Sequence, residues 1–429
     1  MSLQAEDYVG SVPVIISLSE MDCAVQEKPT PMSFLLPRTT VLMAVRGQVQ
    51  KFFSPFTVVQ EESAPLVWLT YKGEPLAWQY PVGALKDSIA ALAMSNCNDA
   101  ATGIRSGDVL TLPSPAEMNP TRFALPLLLE VRITSVVSDK PPAVPCPGQE
   151  DVVTGRNPDQ AMRDYLKQML KGTYSAMYGS IKLMMDARSE VINDMLNFAT
   201  CIAVGEPLVQ TLRAYNERLV ALRRLAGSPS NIVVMMSAPF GNNLFRFFLS
   251  RVPIGELGGS RKGSGSPESL HDESSGFVPG SDSSVDVTAV ADSYHKVTFG
   301  EVMWHVLLRP YFQWWRQRAN AESVPEGAAP LYYALSPFYE GVDEASVIGG
   351  EPTSWGVRSA LIDKFISSGD GVSDGGVIHA TAPTPQTVKG SVCFIVQGTR
   401  PPLSTPVKYL LERFASADGR LYVSLALLG

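Results

Sequence analysis

The sequence predicts an α+β protein in which two strand-rich regions lie on either side of a helical one along the chain, and three observations predict it. Short β-rich runs closed by Gly or Pro occupy residues 11–139. Amphipathic helical spacing takes over across 155–227. Strand patterns then return over 228–429 and repeat the order of the first region, with long loop insertions. At 429 residues the chain has material for two or three domains with substantial cores.

Residues 1–10 are assigned to a tail or short helix. In the first region VPVIISL (12–18) and TTVLMAVRG (39–47) predict strands. LVWLTYKGEPLAW (66–78) predicts two short strands around Lys72-Gly73, a hairpin signal. Pro81 then leads into VGALKDSIAALAM, where Val82, Leu85, Ile89 and Leu92 recur at helical spacing. LPLLLEVRITSVV (125–137) closes the region as a strand, and the proline-rich KPPAVPCPG lies in a linker, 140–154.

The middle region opens on Asn157-Pro158, a cap followed by a proline at the first helical position. Met162, Leu166, Met169 and Leu170 form one buried face, with Gly172 and Gly179 as breaks. Further helices are expected from about Lys182 to Phe198 and from Glu206 to Leu225, where Gly227 stops the pattern. In the third region IVVMMSAPF and NLFRFFLSRV predict strands, and KVTFGEVMWHVLLRPYFQWW (296–315) a strand end and an amphipathic helix. SVCFIVQGTRP predicts a strand and turn, TPVKYLLERFA a short helix, and RLYVSLALL the last strand. Residues 255–293 carry too few apolar groups to offset the entropy of ordering and are assigned to a flexible insertion; 318–330 and 367–390 are assigned to loops.

Charge and motifs exclude several function classes. A net charge of −7 argues against a protein that grips a nucleic-acid backbone, so no nucleic-acid partner is expected. The five cysteines (23, 97, 146, 201 and 393) are odd in number, widely spaced and without a CxxC pair, which suits a reducing compartment. The start MSLQAEDYVGS has two acids and no apolar core, unlike a secretory signal, and the apolar runs are too short to span a bilayer; a cytoplasmic protein is expected. The four histidines (271, 295, 305 and 379) lack metal-ligand spacing, and no phosphate or dinucleotide loop occurs, so neither metal nor cofactor is expected. GVSDG (371–375) matches G-x-S-x-G in letters only: its flanks are loop-like and His379 is too close to serve a triad, so Ser373 is not taken as a nucleophile. RPYFQWWRQR (309–318) suits a membrane or peptide surface, but a helix end with core aromatics is the preferred reading. Trp68, Trp78 and Tyr80 are assigned to packing.

Two blocks of wording carry a resemblance. FLLPRTTVLMAVRGQVQKFF with APLVWLTYKGEPLAWQYPVGALKDSIA, and VCFIVQGTRPPLSTPVKYLLERFASADGRLYVSLAL, cover roughly a fifth of the chain and resemble the autophagy protein 5 family. The resemblance implies two ubiquitin-like β-grasp domains (11–139 and 228–429) flanking a helix-rich domain (155–227). It implies a non-catalytic scaffold for autophagosome formation. Its covalent partner is the ubiquitin-like autophagy protein 12, delivered by a transient E2-like conjugating enzyme, and its coiled-coil partner is autophagy protein 16. The conjugate is implied to give E3-like stimulation of the transfer of ubiquitin-like protein 8 to phosphatidylethanolamine. A cytoplasmic pool would be recruited to the phagophore membrane, with peripheral contact at most.

The resemblance also implies three site residues. Family members have a Leu-Lys or Trp-Lys pair, then Asn-Gly, two small residues and an acceptor lysine; the matching letters here are Leu170-Lys171, Tyr178-Gly179, Ser180-Ile181 and Lys182. Tyr178 replaces the Asn, and Ile181 the second small residue. Lys167 and Lys171, the other lysines of the region, are assigned to a solvated helix flank. Lys182 is thus the expected isopeptide acceptor, and a non-covalent association is the alternative should the two departures disable it. A lysine there on a plain helix start is the bland competitor. Arg38 and Gly83 are implied to lie at the groove for autophagy protein 16; without the resemblance they read as a surface arginine and a tight helix start.

Overall fold

Alternation along Ser11–Leu18 (β1) sends Val12, Val14, Ile16 and Leu18 into one core while their neighbours face outward, the period-two signature of a strand covered on one side. The computed structural model describes residues 10–57, 65–102, 126–134, 158–186, 189–202, 217, 228–239, 245–257, 294, 296–308, 391–416 and 418–428. Within them β1 pairs antiparallel with Met32–Pro37 (β2) and parallel with Leu127–Thr134 (β5). Leu66–Tyr71 (β3) pairs antiparallel with β5 and with the short Glu74–Pro75 (β4), giving the order β2-β1-β5-β3-β4. Arg46–Phe53 (α1) and Val82–Thr102 (α2) follow β2 and β4 in the chain.

Contrary to expectation, TTVLMAVRG is not a strand. Leu42–Val45 form a 3₁₀ turn that runs into α1, and the strand at that stage is the earlier MSFLLP of β2. Leu42, Val45, Val49 and Phe53 are all buried, at i, i+3, i+7 and i+11. That helical period outweighs the β-branched Thr39-Thr40-Val41, because it extends past the window in which those residues dominate.

The middle region gives Pro158–Tyr178 (α3), Lys182–Asp186 (α4) and Ser189–Thr200 (α5). Leu166, Leu170 and Tyr174 of α3 and Met195, Leu196 and Ala199 of α5 join the core of the first sheet. Gly172 does not break α3, contrary to expectation; it is exposed, and the packing of Leu170 and Tyr174 around it exceeds the ~1 kcal/mol that a helical glycine costs. Gly179, at φ +70°, does end the helix. Of the expected helix from Lys182 to Phe198, α4 and α5 are helical, and residues 187 and 188 between them lie outside the described residues. The expected helix at 206–225 lies outside the described residues except Glu217, as do the linker, the loops at 318–330 and 367–390, residues 1–9 and nearly all of 255–293. Ile254–Leu257 (α6) is a helical turn with Ile254 and Leu257 buried, so packed chain runs past the predicted start of that insertion.

Asn231–Pro239 (β6) is buried at every residue from Asn231 to Ala238, a continuous run that marks a strand covered on both faces. It pairs antiparallel with Phe245–Pro253 (β7) and parallel with Leu421–Leu428 (β9), which pairs antiparallel with Ser391–Ile395 (β8). Ile232, Val234 and Met236 face a second core that contains Phe299 of Phe299–Met303 (α7) and Leu410 of Val407–Phe414 (α8). The opposite face receives α2 of the first region: Ala84 meets Met235 and Tyr422, and Ala91 meets Cys393, Ile395 and Ala426. Between these apolar contacts Ser88 donates to Ser237 at 2.6 Å, and Ser237 to Ser424 at 3.0 Å, so the buried hydroxyls satisfy one another.

The order β7-β6-β9-β8 repeats that of the first sheet without its short edge strand, and the repetition reaches individual hydrogen bonds. In the first region Leu42 N–H donates to Tyr80 O at 3.2 Å and Val82 N–H to Thr40 O at 2.7 Å. In the second, Phe299 N–H donates to Thr405 O at 2.8 Å and Val407 N–H to Val297 O at 2.9 Å. Tyr-Pro-Val at 80–82 and Thr-Pro-Val at 405–407 therefore occupy equivalent places. Each follows a two-residue turn with both φ positive, Lys72-Gly73 (51° and 83°) and Gln397-Gly398 (50° and 77°), as a tight hairpin requires.

Candidate functional site

The chain leaves α3 through Gly179, whose left-handed φ turns it away from the helix axis. Ser180 Oγ then accepts the Lys182 N–H at 3.1 Å, and Ile181 O accepts from Met184 and Met185 N–H at 2.9 and 3.1 Å, which closes the first turn of α4. Met184 is 1% exposed and anchors this short helix, while Lys182 is exposed between Ile181 (44%) and Met185 (63%). Both departures from the family wording have a place in this geometry. Tyr178 stacks on Tyr174, ring centroids 5.9 Å apart, and Ile181 projects to solvent, so neither encloses the lysine. Lys167 is half-buried and 3.9 Å from Asp164, and Lys171 is half-buried; Lys182 is the exposed lysine among the three.

Arg38 and Gly83 are brought together, at the junction of α2 with the second sheet. Gly83 N–H donates to Arg38 O at 2.8 Å, and Arg38 Nη2 donates back to Gly83 O at 3.2 Å. Arg38 also pairs with Asp87 and donates from Nε to Gln397 Oε1 at 3.1 Å. Asp87 Oδ2 accepts the Gly398 N–H at 2.9 Å, so the hairpin turn of the second sheet is capped by a carboxylate of the first region. Burial pushes the Asp87 carboxyl above its ordinary range against the pull of Arg38, and burial, with Arg38 nearby, lowers the neighbouring Lys86 amine. Sequence reasoning missed Asp87, Gln397 and Gly398. The spacing of Gly83 and Asp87, four apart on one helix face, was the available signal.

A Cβ at Gly83 would stand 2.8 Å from both Cβ and O of Arg38, closer than van der Waals contact permits. Gly83→Ala is therefore expected to destabilise the protein by about 1–3 kcal/mol through overpacking, although alanine is otherwise the better helix former. Urea denaturation checks this, and a variant at least as stable as the parent refutes it.

Trp68 and Trp78 are 6% and 1% exposed and belong to the first core, and Tyr80 packs on Phe247 with centroids 4.3 Å apart. His305 sits in the helical turn Trp304–Leu308, whereas His271, His295, His379, Ser373 and the basic-aromatic 309–318 lie outside the described residues. Among the described residues no group of three or more His, Cys, Asp or Glu could hold a metal, and no helix is long and apolar enough to cross a membrane. A cavity of ≈ 20 Å³ where Val41, Leu166 and Tyr422 meet has room for about one water, far below the size of a cofactor.

Comparison with known proteins matches residues 8–102 to the family model "Autophagy protein ATG5, UblA domain". Proteins named autophagy protein 5 match over short stretches: 32% identity over 82 residues in Dictyostelium discoideum (19% of this chain, 20% of that protein) and 33% over 93 residues in Arabidopsis thaliana (21% and 27%). In Penicillium rubens the identity is 29% over 112 residues, 26% of this chain and 35% of that protein. The matched stretches thus span about a fifth to a third of the relatives' length. The crystal structure of Kluyveromyces marxianus Atg5 overlays 97% of this chain and 96% of its own at 12% identity, with a TM-score of 0.44.

Proposed function

We propose that this chain is a member of the autophagy protein 5 family, a reading supported by the UblA-domain match at residues 8–102, and that it is a conjugation scaffold of autophagy whose Lys182 accepts the ubiquitin-like autophagy protein 12. The two sheets are read as ubiquitin-like domains A and B; their shared connectivity and the equivalent Tyr-Pro-Val and Thr-Pro-Val junctions support that reading. The observation that carries the function is the exposed lysine on a turn fixed by Gly179, Ser180 and Met184.

The chemistry asks little of the acceptor beyond access. The donor is the C-terminal glycine of the modifier, held as a thioester on an E2-like enzyme. The Lys182 ammonium gives up a proton to a base of that enzyme, and Nζ attacks the thioester carbonyl. The C–N bond forms, the C–S bond breaks, and the departing thiolate takes up a proton. A free lysine, pKa ~10.4, is almost wholly charged near pH 7, so the proton acceptor must come from the donor's site. The protein itself supplies no active site in this reading. The conjugate binds autophagy protein 16 and gives E3-like stimulation of the lipidation of ubiquitin-like protein 8, from a cytoplasmic pool recruited to the phagophore. Non-covalent association with autophagy protein 12 is the second reading, which holds if the replacements at Tyr178 and Ile181 disable the acceptor.

Reconstitution with the modifier and its activating and conjugating enzymes separates the two. A higher-mass band that survives denaturing electrophoresis, with a branched tryptic peptide at Lys182, is the expected result. Co-elution of the two proteins without such a band would leave the non-covalent reading in possession.

A further inference from the structure

We propose that Ser230 and Asn231, at the start of β6, are positioning residues for Lys182, so that the second sheet rather than the helical region alone aims the acceptor amine. The inference rests on the reading of Lys182 as acceptor.

A helix leaves its last four carbonyls without internal partners, and how they are satisfied decides how firmly the end is held. At the end of α3 two of these carbonyls, Ala176 O and Met177 O, accept from Ser230 and Asn231. Ser230 donates from N–H and from Oγ to Met177 O, at 2.8 and 2.9 Å. Asn231 Nδ2 donates to Ala176 O at 2.9 Å and to Ser230 Oγ at 2.9 Å, from a residue that is 4% exposed. One further contact holds the turn before it, where Arg420 Nε donates to Thr173 Oγ1 at 2.9 Å; Gly419 leaves room for Met177 alongside, since a Cβ there would stand 3.1 Å from Met177 Sδ. The last turn of α3 is therefore fastened to the β6 and β9 ends of the second sheet.

Lys182 lies five residues beyond Met177. Between them the chain has few alternatives, since Gly179 fixes the turn and Ser180 Oγ holds the Lys182 N–H. Met184 then pins α4 through its buried side chain. Each link is short, so a shift at the end of α3 becomes a shift at Lys182. A thioester carbonyl must be met within about 3–3.5 Å, and misplacement by about 1 Å can cost up to a hundredfold in rate.

Asn231→Asp tests the inference, because it keeps size but turns a donor into an acceptor and places a carboxylate at the negative end of a helix. The single-turnover rate constant at saturating thioester donor is expected to fall about tenfold, while the half-saturating donor concentration stays within about twofold. Acylation of Lys182 by the small reagent N-hydroxysuccinimidyl acetate is expected to be unchanged, since that reagent needs exposure and no alignment. Hydrogen exchange is expected to quicken over 177–186 and not over 421–428. Ser230→Ala, which removes one of the two bonds to Met177 O and the acceptor of one Asn231 bond but keeps the backbone donor and the Asn231 bond to Ala176 O, is expected to give a milder loss, about two- to threefold; it serves should the first variant fail to fold. Unchanged rate constants in the folded variants, or a loss that merely follows the folded fraction, overturn the inference. Conjugation that survives Lys182→Arg in the same assay overturns the acceptor reading instead.

Discussion

On the proposed function, Lys182→Arg is expected to abolish the isopeptide-linked conjugate while leaving stability and partner association intact, the largest functional effect expected of any single substitution here. Arginine keeps the charge and most of the reach, so binding that uses a cation at this place survives. It cannot surrender its proton at any working pH, and a guanidinium therefore offers no lone pair to a thioester. The site is exposed on a short helix, so a shape-conserving change there should alter stability by less than about 0.5 kcal/mol. Lys167→Arg and Lys171→Arg are the matched controls, and both should conjugate normally, because each is half-buried along α3. The band intensity on a denaturing gel decides the matter. A conjugate persisting in Lys182→Arg and vanishing in Lys171→Arg would move the acceptor into α3.

Arg38→Ala produces the largest loss of stability, about 3–5 kcal/mol. The side chains of Arg38 and Asp87 are only 15% and 4% exposed, and removing one partner of such a pair strands the other charge in a place water cannot reach. Gly398 N–H would remain as a donor to the carboxylate. The pH dependence has a definite sign. Because burial raises the folded-state value of Asp87, the unfolded chain releases this proton first as pH rises. The contribution of Asp87 to stability is therefore fully present below the ordinary carboxylate value and is lost as pH climbs from there through the raised value. Without Arg38 the folded-state value rises further, so the deficit of Arg38→Ala is expected to be widest near neutrality and to narrow toward about pH 4. Urea denaturation across pH measures this, and a deficit independent of pH would show that Asp87 is not the stranded group. Cys393, buried against Ala91 of α2 in the same junction, gives a local reporter: its thiol should react faster with a thiol reagent in the variant.

Most of the fold was legible in the sequence because its patterns report burial, and burial is what periodicity records. β1, β5, β6, β8, β9, α2 and α8 were readable from runs whose apolar positions match one period. TTVLMAVRG failed because the β-branched residues at its start have strand propensity, while its buried positions have helical spacing that becomes plain only beyond residue 47. Gly172 failed for the opposite reason, a local preference overruled by packing on both sides.

Lys182 was a candidate only through the family resemblance that its spacing from Lys171 and Gly179 carries, and the structure adds that the residue is exposed. For Arg38 and Gly83 the resemblance implied a partner groove, and the structure shows the contacts they make within the chain itself, to Asp87, Gln397 and Gly398. No spacing rule joins Arg38 to Gln397, 359 residues away. What the sequence determined by itself is therefore local: which stretches form strands and helices, where the hairpin at Lys72-Gly73 falls, and which lysine follows the glycine. Only the tertiary structure decided which remote groups meet, among them Ser88 with Ser237 and Ser424, and Asn231 with the end of α3. The physical reason is that periodicity fixes which face of an element avoids water, whereas the partner of a buried polar group is fixed by where a distant segment closes over it.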